Sequence, residues 1–427
     1  MASETCTTES QGLFDTSVTL KAIEEKLQEA LNTSAVFGAN ATTTQIARGQ
    51  GFLSVMVRLK PDWQGNNTDK LPTSFVIKIP TSVTSQKASE QISLDEMMKD
   101  HQTDVQFTAE GHTSGIEKYL RVAHASEIAF YELVNQEQLK VKVPKCFVLQ
   151  KYGSSGENGL LIMKDLCDIA ATKPINEGLS IEAVKEVLEN LAEVHAYSLQ
   201  NDQWLHDDNL KATLSKYQKE NGDNLNGLTI GAMDKFKKDH PALFDPLIDR
   251  LREECLKEYD LGFLDTIHEE LGLPPILTHG DLWMNNMMWR KADGRKGTTD
   301  ELVAIVDWQI VHPGCIGEDF VRLMCSSVDP AVRREHLTDF MEFYHASLKS
   351  KLGKEPPFTV GQIIYAYKRI FRYGLLLLIP CFLGFIQPEF GMMGSEDIDK
   401  KINTVLERVK CFIEDLYVYE DELGLNK

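Results

Sequence analysis

Near residue 170 of this 427-residue chain, the spacing of apolar residues changes from every second position to every third and fourth. A period of two belongs to strands and one near 3.6 to helices, so strands come first and helices afterwards. Before the switch, residues 42–46 are a weak strand candidate. Residues 54–60 alternate well, with Val55, Val57 and Leu59 on one face and Ser54, Met56 and Arg58 on the other. Residues 74–79 place Phe75, Ile77 and Ile79 on one face and Val76 with Lys78 on the other. Lys78 therefore points away from the core face. Residues 141–144 and 146–150 read as one short strand, and 160–163 as its hairpin partner across a Gly/Ser turn. A helix over 116–138 carries Glu127 near its middle, preceded by a polar loop–helix insertion over 81–115.

After the switch, Ile181, Val184, Leu188, Leu191, His195 and Leu199 form a helical stripe, with Ser180 as a natural N-cap. Further helices are expected over 234–258 and 262–271. A terminal helix carries the stripe Ile398, Ile402, Val405, Val409, Phe412 and Leu416. The longest apolar run, 373–386, is 14 residues long and contains Pro380. That is short of the roughly 20 residues that span a bilayer, so it reads as a buried helix broken at the proline. Five strands followed by helices describe an α+β fold of two unequal lobes, residues 1–165 and 166–427. The first holds a five-stranded sheet with one main helix and the second is larger and helical.

Charge narrows the partners. With 45 Lys and Arg against 64 Asp and Glu, the net charge is −19. Such a field repels nucleic acid and anionic membrane. An anionic substrate such as a nucleotide would need a cation to bridge the repulsion. The eight cysteines are scattered without metal-ligand spacing, and residues 1–17 lack an apolar core of signal-peptide length. A cytoplasmic protein with reduced thiols is expected.

The chemistry concentrates in Thr278-His279-Gly280-Asp281-Leu282-Trp283-Met284-Asn285-Asn286 and in Val303-Ala304-Ile305-Val306-Asp307-Trp308-Gln309. A loop presents Asp281. A short apolar strand leaves Asn286, turns at Asp293-Gly294, and a second returns to Asp307. The hairpin brings Asn286 and Asp307 to one end of a small sheet. Two hard oxygen ligands near a third carboxylate suit magnesium, which is held by one or two carboxylates plus substrate phosphates. Asp281 is placed to take a proton from an attacking hydroxyl. His279 and Asp319 read as loop braces, and His195 as a satisfied core histidine; His312 and Cys315 have no assigned role. No P-loop, H-E-x-x-H or G-x-S-x-G pattern is present.

The form His-Gly-Asp-x-x-x-x-Asn followed by Val-Asp-x-Gln resembles the catalytic and metal loops of the protein-kinase-like small-molecule kinases. It is most similar to the ecdysteroid kinase-like (CHK kinase-like) family, related to choline and aminoglycoside kinases. The resemblance implies a bilobal protein-kinase-like fold and transfer of phosphate from ATP, with Mg2+, to a hydroxyl of a small molecule. It makes Asp281 the base and Asn286 and Asp307 the metal ligands. It extends over about residues 40–330. The turn with Gly49 and Gly51 would cover the nucleotide, Lys78 would reach its phosphates, and Glu127 would pair with Lys78. Met163, Lys164 and Asp165 would form the hinge beside adenine. The loop lacks the H-R-D form, which favours a small hydroxylated acceptor over a protein one. The alternative is a pseudokinase-type scaffold that binds nucleotide or ligand without transfer.

Overall fold

The computed structural model describes residues 12–47, 53–82, 109–136, 138–153, 158–213, 215–216, 224–255, 260–294, 297–387 and 397–425. The glycine turn at 48–52, with Gly49 and Gly51, and most of the 81–115 stretch lie outside the described residues.

The first lobe is a five-stranded antiparallel sheet. Its strands are β1 (Thr42–Ile46), β2 (Ser54–Lys60), β3 (Phe75–Pro80), β4 (Cys146–Gln150) and β5 (Leu160–Lys164), in the order β1-β2-β3-β5-β4. The alternation assigns the faces as expected. Val55, Val57, Leu59, Phe75, Ile77 and Ile79 pack into one cluster, while Val76 joins the larger core on the other side.

A helix not foreseen, α1 (Leu20–Leu31), buries Ile23 and Leu27 in the first cluster. Thr19 caps it, its hydroxyl accepting from Ala22 N at 3.2 Å. Among the described residues the lobe therefore has two α-helices. The second, α2 (Ala109–Asn135), begins seven residues before the expected 116 and carries Glu127. Residues 141–144 form no strand. They are an extended connection whose Lys142 carbonyl accepts from Ile305 N and whose Lys142 N–H donates to Asn190 Oδ1.

In the second lobe, β6 (Ala170–Ala171) edges the three-stranded order β9-β8-β6, where β8 (Met287–Lys291) and β9 (Thr298–Ile305) form the expected hairpin. β7 (Ile276–Thr278) pairs with β10 (His312–Gly314). The central helix α3 (Ile181–Gln200) is capped by Ser180 Oγ, which accepts from Ala183 N.

The single helix expected over 234–258 is instead α4 (Asn224–Asp239), one turn at Pro241–Phe244, and α5 (Leu247–Cys255). Pro241 and Pro246 have no N–H to extend a preceding helix. Next come α6 (Gly262–Glu270), α7 (Gly317–Ser327), α8 (Pro330–Leu352), α9 (Val360–Ile386) and α10 (Ile398–Leu423). α8 packs on α3, and α9 on both α7 and α10.

The expected break at Pro380 does not occur: α9 runs through it. A helical proline frees the carbonyl four residues earlier, here that of Leu376, and the buried Thr229 hydroxyl of α4 donates to that carbonyl at 3.4 Å. By length and composition α9 could cross a membrane, and 61% of its apolar window is buried inside the fold. Gly374 lets α7 and α9 approach closely, since a Cβ there would lie 2.1 Å from Val321 Cγ1.

Candidate active site

The loop after β7 is held from below by one carboxylate. Asp319, fully buried on α7, accepts from His279 N at 2.8 Å and Gly280 N at 2.9 Å. Burial alone would raise its pKa, but the His195 and His279 imidazoles and the His279 amide hold it below the usual carboxylate range. His195 Nε2 lies 3.9 Å from Asp319, and its Nδ1 meets the Tyr344 hydroxyl at 2.6 Å. Both bracing roles expected for Asp319 and His279 describe what is found. His279 Nδ1 accepts from Asp281 N at 3.2 Å and its Nε2 meets the Val306 carbonyl at 3.1 Å.

Gly280 sits at φ +79°, and a Cβ there would be 2.7 Å from the Ile310 carbonyl oxygen. Only glycine fits that turn without displacement.

The turn delivers Asp281 partly exposed. Its Oδ1 accepts from Arg322 Nη2 at 2.7 Å. The Asn286 amide donates to the Asp281 carbonyl at 2.8 Å and faces Oδ2 at 3.3 Å. With Nδ2 so engaged, Asn286 presents its Oδ1 as an acceptor. The Asn286 carbonyl in turn accepts from Val306 N at 2.9 Å. That bond sets Asn286 against the residue preceding Asp307, as the hairpin spacing requires.

Asp307 occupies the left-handed region at φ +66°, a strained conformation for a residue with a Cβ. Its Oδ1 is 2.5 Å from Lys78 Nζ, and Glu127 Oε2 is 2.7 Å from the same nitrogen. Lys78 from β3, Glu127 from α2 and Asp307 from the hairpin thus converge, although 49 and 229 residues separate Lys78 from its two partners. Burial would lower the Lys78 pKa, but the Asp307 and Glu127 carboxylates overcome it and hold the ammonium protonated. Glu127 is pushed up by burial, and Lys78 pulls the other way.

Trp308 is fully buried, stacked on Phe130 of α2 at 3.8 Å between ring centroids, with its Nε1 donating to Ile305 O.

Lys164 N donates to Lys145 O at 2.8 Å and its side chain is exposed. Met163 is buried in the sheet. The Asp165 carboxylate takes the Ser74 hydroxyl at 2.6 Å, the Arg58 guanidinium at 2.8 Å and Cys167 N at 2.9 Å. Asp165 therefore ties the hinge to the lobe, and its carboxylate is not free to face a nucleotide.

Among the described residues there is no group of three or more His, Cys, Asp or Glu that could hold a metal by themselves. The donor set on offer is the Asp307 carboxylate and the Asn286 amide oxygen. Two hard oxygens fit magnesium that takes its remaining ligands from phosphates and water.

Sequence reasoning missed Arg322 and the Trp308–Phe130 stack. The one available signal for Arg322 was its place three residues after Asp319, on the same helix face.

A loop braced by Asp319, an aspartate beside a loop asparagine and a lysine between two carboxylates can be set beside known proteins. The DUF1679 family, described as "Uncharacterized oxidoreductase dhs-27", matches residues 6–422. The chain belongs to the DUF1679 family. DUF1679 is related to the ecdysteroid kinase-like proteins, in keeping with the resemblance of the two loops.

One relative, "Uncharacterized oxidoreductase dhs-27" of Caenorhabditis elegans, is 25% identical over 81% of this chain, which spans 40% of that protein's length. A second, "Uncharacterized kinase-like protein D1044.1" of the same organism, is 22% identical over 83% of this chain and 84% of its own. Among solved structures, choline kinase from Cryptosporidium parvum Iowa II is 13% identical over 91% of this chain and 92% of its own, with a TM-score of 0.46.

Proposed function

We propose that this DUF1679 protein transfers the terminal phosphoryl group of ATP to a hydroxyl of a small molecule, with magnesium. The single observation that carries the reading is the convergence of Lys78, Glu127 and Asp307 within 2.7 Å contacts, one short loop from Asp281. A cation buried between two carboxylates is a costly way to stabilise a fold. Where the sheet, α2 and the hairpin meet, it is a ready partner for phosphate oxygens.

In this reading Lys78 contacts the ATP phosphates and Glu127 keeps its ammonium in place. Asp307 and Asn286 would hold magnesium, which supplies positive charge to phosphate oxygens in an acidic protein. Asp281 accepts the proton of the acceptor hydroxyl through Oδ2, since Oδ1 is bonded to Arg322. The acceptor oxygen forms the new P–O bond, the bond to the β-phosphate breaks and ADP leaves. Most of the rate comes from positioning and electrostatics.

The acceptor is a hydroxylated metabolite, steroid-like, choline-like or another alcohol. The test is a magnesium-ATP turnover screen over hydroxylated metabolites, read by mass spectrometry for the added phosphate. Asp281→Asn is expected to lower turnover about 10²–10⁴-fold while nucleotide affinity stays within about twofold. Transfer at the wild-type rate by that variant would remove Asp281 as the base. Nucleotide binding with no transfer to any acceptor would favour a scaffold.

A further inference from the structure

We infer that Arg322 is a positioning residue for Asp281, holding one carboxylate oxygen so that the other faces the acceptor. This rests on the phosphotransfer reading.

The geometry has two parts. Arg322 lies three residues beyond Asp319 on α7, so both side chains project from one face of that helix toward the catalytic loop. Asp319 bonds the loop backbone at His279 and Gly280, and Arg322 bonds the Asp281 side chain at 2.7 Å. One helix therefore sets both the path of the loop and the direction of its carboxylate. Without Arg322, Asp281 Oδ1 loses its bond, and the carboxylate keeps only the 3.3 Å approach of Asn286 to Oδ2. A single long contact leaves rotation about the side-chain bonds nearly free.

The second part concerns cost. Arg322 is 91% buried, and among the described residues its Nε and Nη1 have no hydrogen-bond partner. Buried donors left unsatisfied destabilise a fold, and an arginine cannot shed its charge to escape. Its neighbours do not repay this. The nearby wall is largely apolar, with Val321 of α7 and Leu377 of α9; its one carboxylate, Glu318, is bonded to His312 and Cys315 N, and the buried Cys381 thiol of α9 is a weak partner. The fold thus retains a guanidinium with two unspent nitrogens for a single strong bond, and that bond is to the proposed base. Charge-assisted bonds of this kind are short and directional.

The experiment measures magnesium-ATP turnover as ADP formation, with water as acceptor and with the metabolite panel, in wild type and in Arg322→Gln, Arg322→Lys and Arg322→Ala. Arg322→Gln is expected to lower kcat about 10²-fold, the usual loss for a misplaced reacting group, with KM for ATP unchanged. Arg322→Lys should recover to within about tenfold of wild type. Millimolar guanidinium should partly restore Arg322→Ala. If all three fold, bind ATP normally and turn over at the wild-type rate, positioning by Arg322 is overturned and the phosphotransfer reading stands. If kcat and ATP affinity fall together, with no recovery by lysine or guanidinium, Arg322 is merely structural and the inference fails. If wild type forms no ADP and modifies no metabolite, the phosphotransfer reading falls and takes this inference with it. Thermal melting of each variant separates loss of fold from loss of rate, and lysine, which keeps the charge, carries the comparison if glutamine or alanine unfolds.

Discussion

Lys78→Met removes one ammonium and leaves its two carboxylates behind. Lys78 is 5% exposed and Glu127 1%, so Glu127 would remain as a buried, unpaired acid. The Asp307 side chain is 30% exposed and can turn to water, so it adds little. Breaking a buried pair from one side costs about 3–5 kcal/mol. The protein has one escape, protonation of Glu127, which burial already favours. A buried carboxyl whose folded pKa lies above its unfolded value of about 4.3 costs nothing below that value. Its cost grows by about 1.4 kcal/mol per pH unit until the folded pKa is passed, and then stays constant. The penalty of Lys78→Met should therefore be near its full 3–5 kcal/mol at pH 8 and smaller by at least about 1 kcal/mol at pH 5.5. Lys78→Met with Glu127→Gln replaces both charges and should recover about 2–3 kcal/mol. On the phosphotransfer reading, nucleotide binding should weaken in single and double variants alike, because Lys78 would contact the phosphates. Urea unfolding at the two pH values and titration calorimetry with ATP would decide it. A single variant within about 0.5 kcal/mol of wild type at pH 8, or a penalty equal at both pH values, would refute the reasoning.

Two further predictions follow from the loop's supports. Burial opposes the charge on His312, but Glu318 at 3.2 Å and the Ile310 carbonyl at 2.7 Å overcome it and raise its pKa from 6.5 to about 9. Its stabilising effect, up to about 3 kcal/mol, should be complete below pH 6.5 and lost as pH rises through about 9. The melting-temperature gap between wild type and His312→Asn should close across that window; a constant gap would exclude a charged His312. Gly280→Ala should cost more than Gly294→Ala. Both have positive φ, worth about 1–3 kcal/mol, but only Gly280 would drive a Cβ to 2.7 Å from a backbone oxygen, while Gly294 has nothing within 4 Å. Equal melting points for the two variants would show that the loop yields freely.

The strand faces were legible because period two assigns them without ambiguity: Lys78 had to oppose Phe75, Ile77 and Ile79, and it does. The hairpin from Asn286 to Asp307 was legible because its length leaves little choice of geometry. Pro380 misled because proline stops a helix only where the freed carbonyl lacks another donor, and Thr229 comes from a helix 147 residues earlier in the chain. α1 was missed although Leu20, Ile23, Leu27 and Leu31 recur at intervals of three and four. Its polar composition hid a stripe only two residues deep in the core. Arg322 was illegible for a different reason. An arginine on an amphipathic helix is ordinarily a surface residue, and only the tertiary approach of α7 to the catalytic loop turns it toward Asp281.

The packing of Trp308 bears on how a drug-like compound could engage the Asp307 segment. Phe130 covers one face of the indole at 3.8 Å, and the His279 ring stands 4.4 Å away. A compound that wins affinity by prising the Asp307 segment outward would have to break that stack and expose a fully buried tryptophan. Such aromatic pairs are worth about 0.5–1.5 kcal/mol beyond the area they bury. Compounds shaped to the segment as it stands avoid that expense. Compounds that bind against the Asp307 segment as it stands should therefore hold more tightly than those that wedge it away from Phe130.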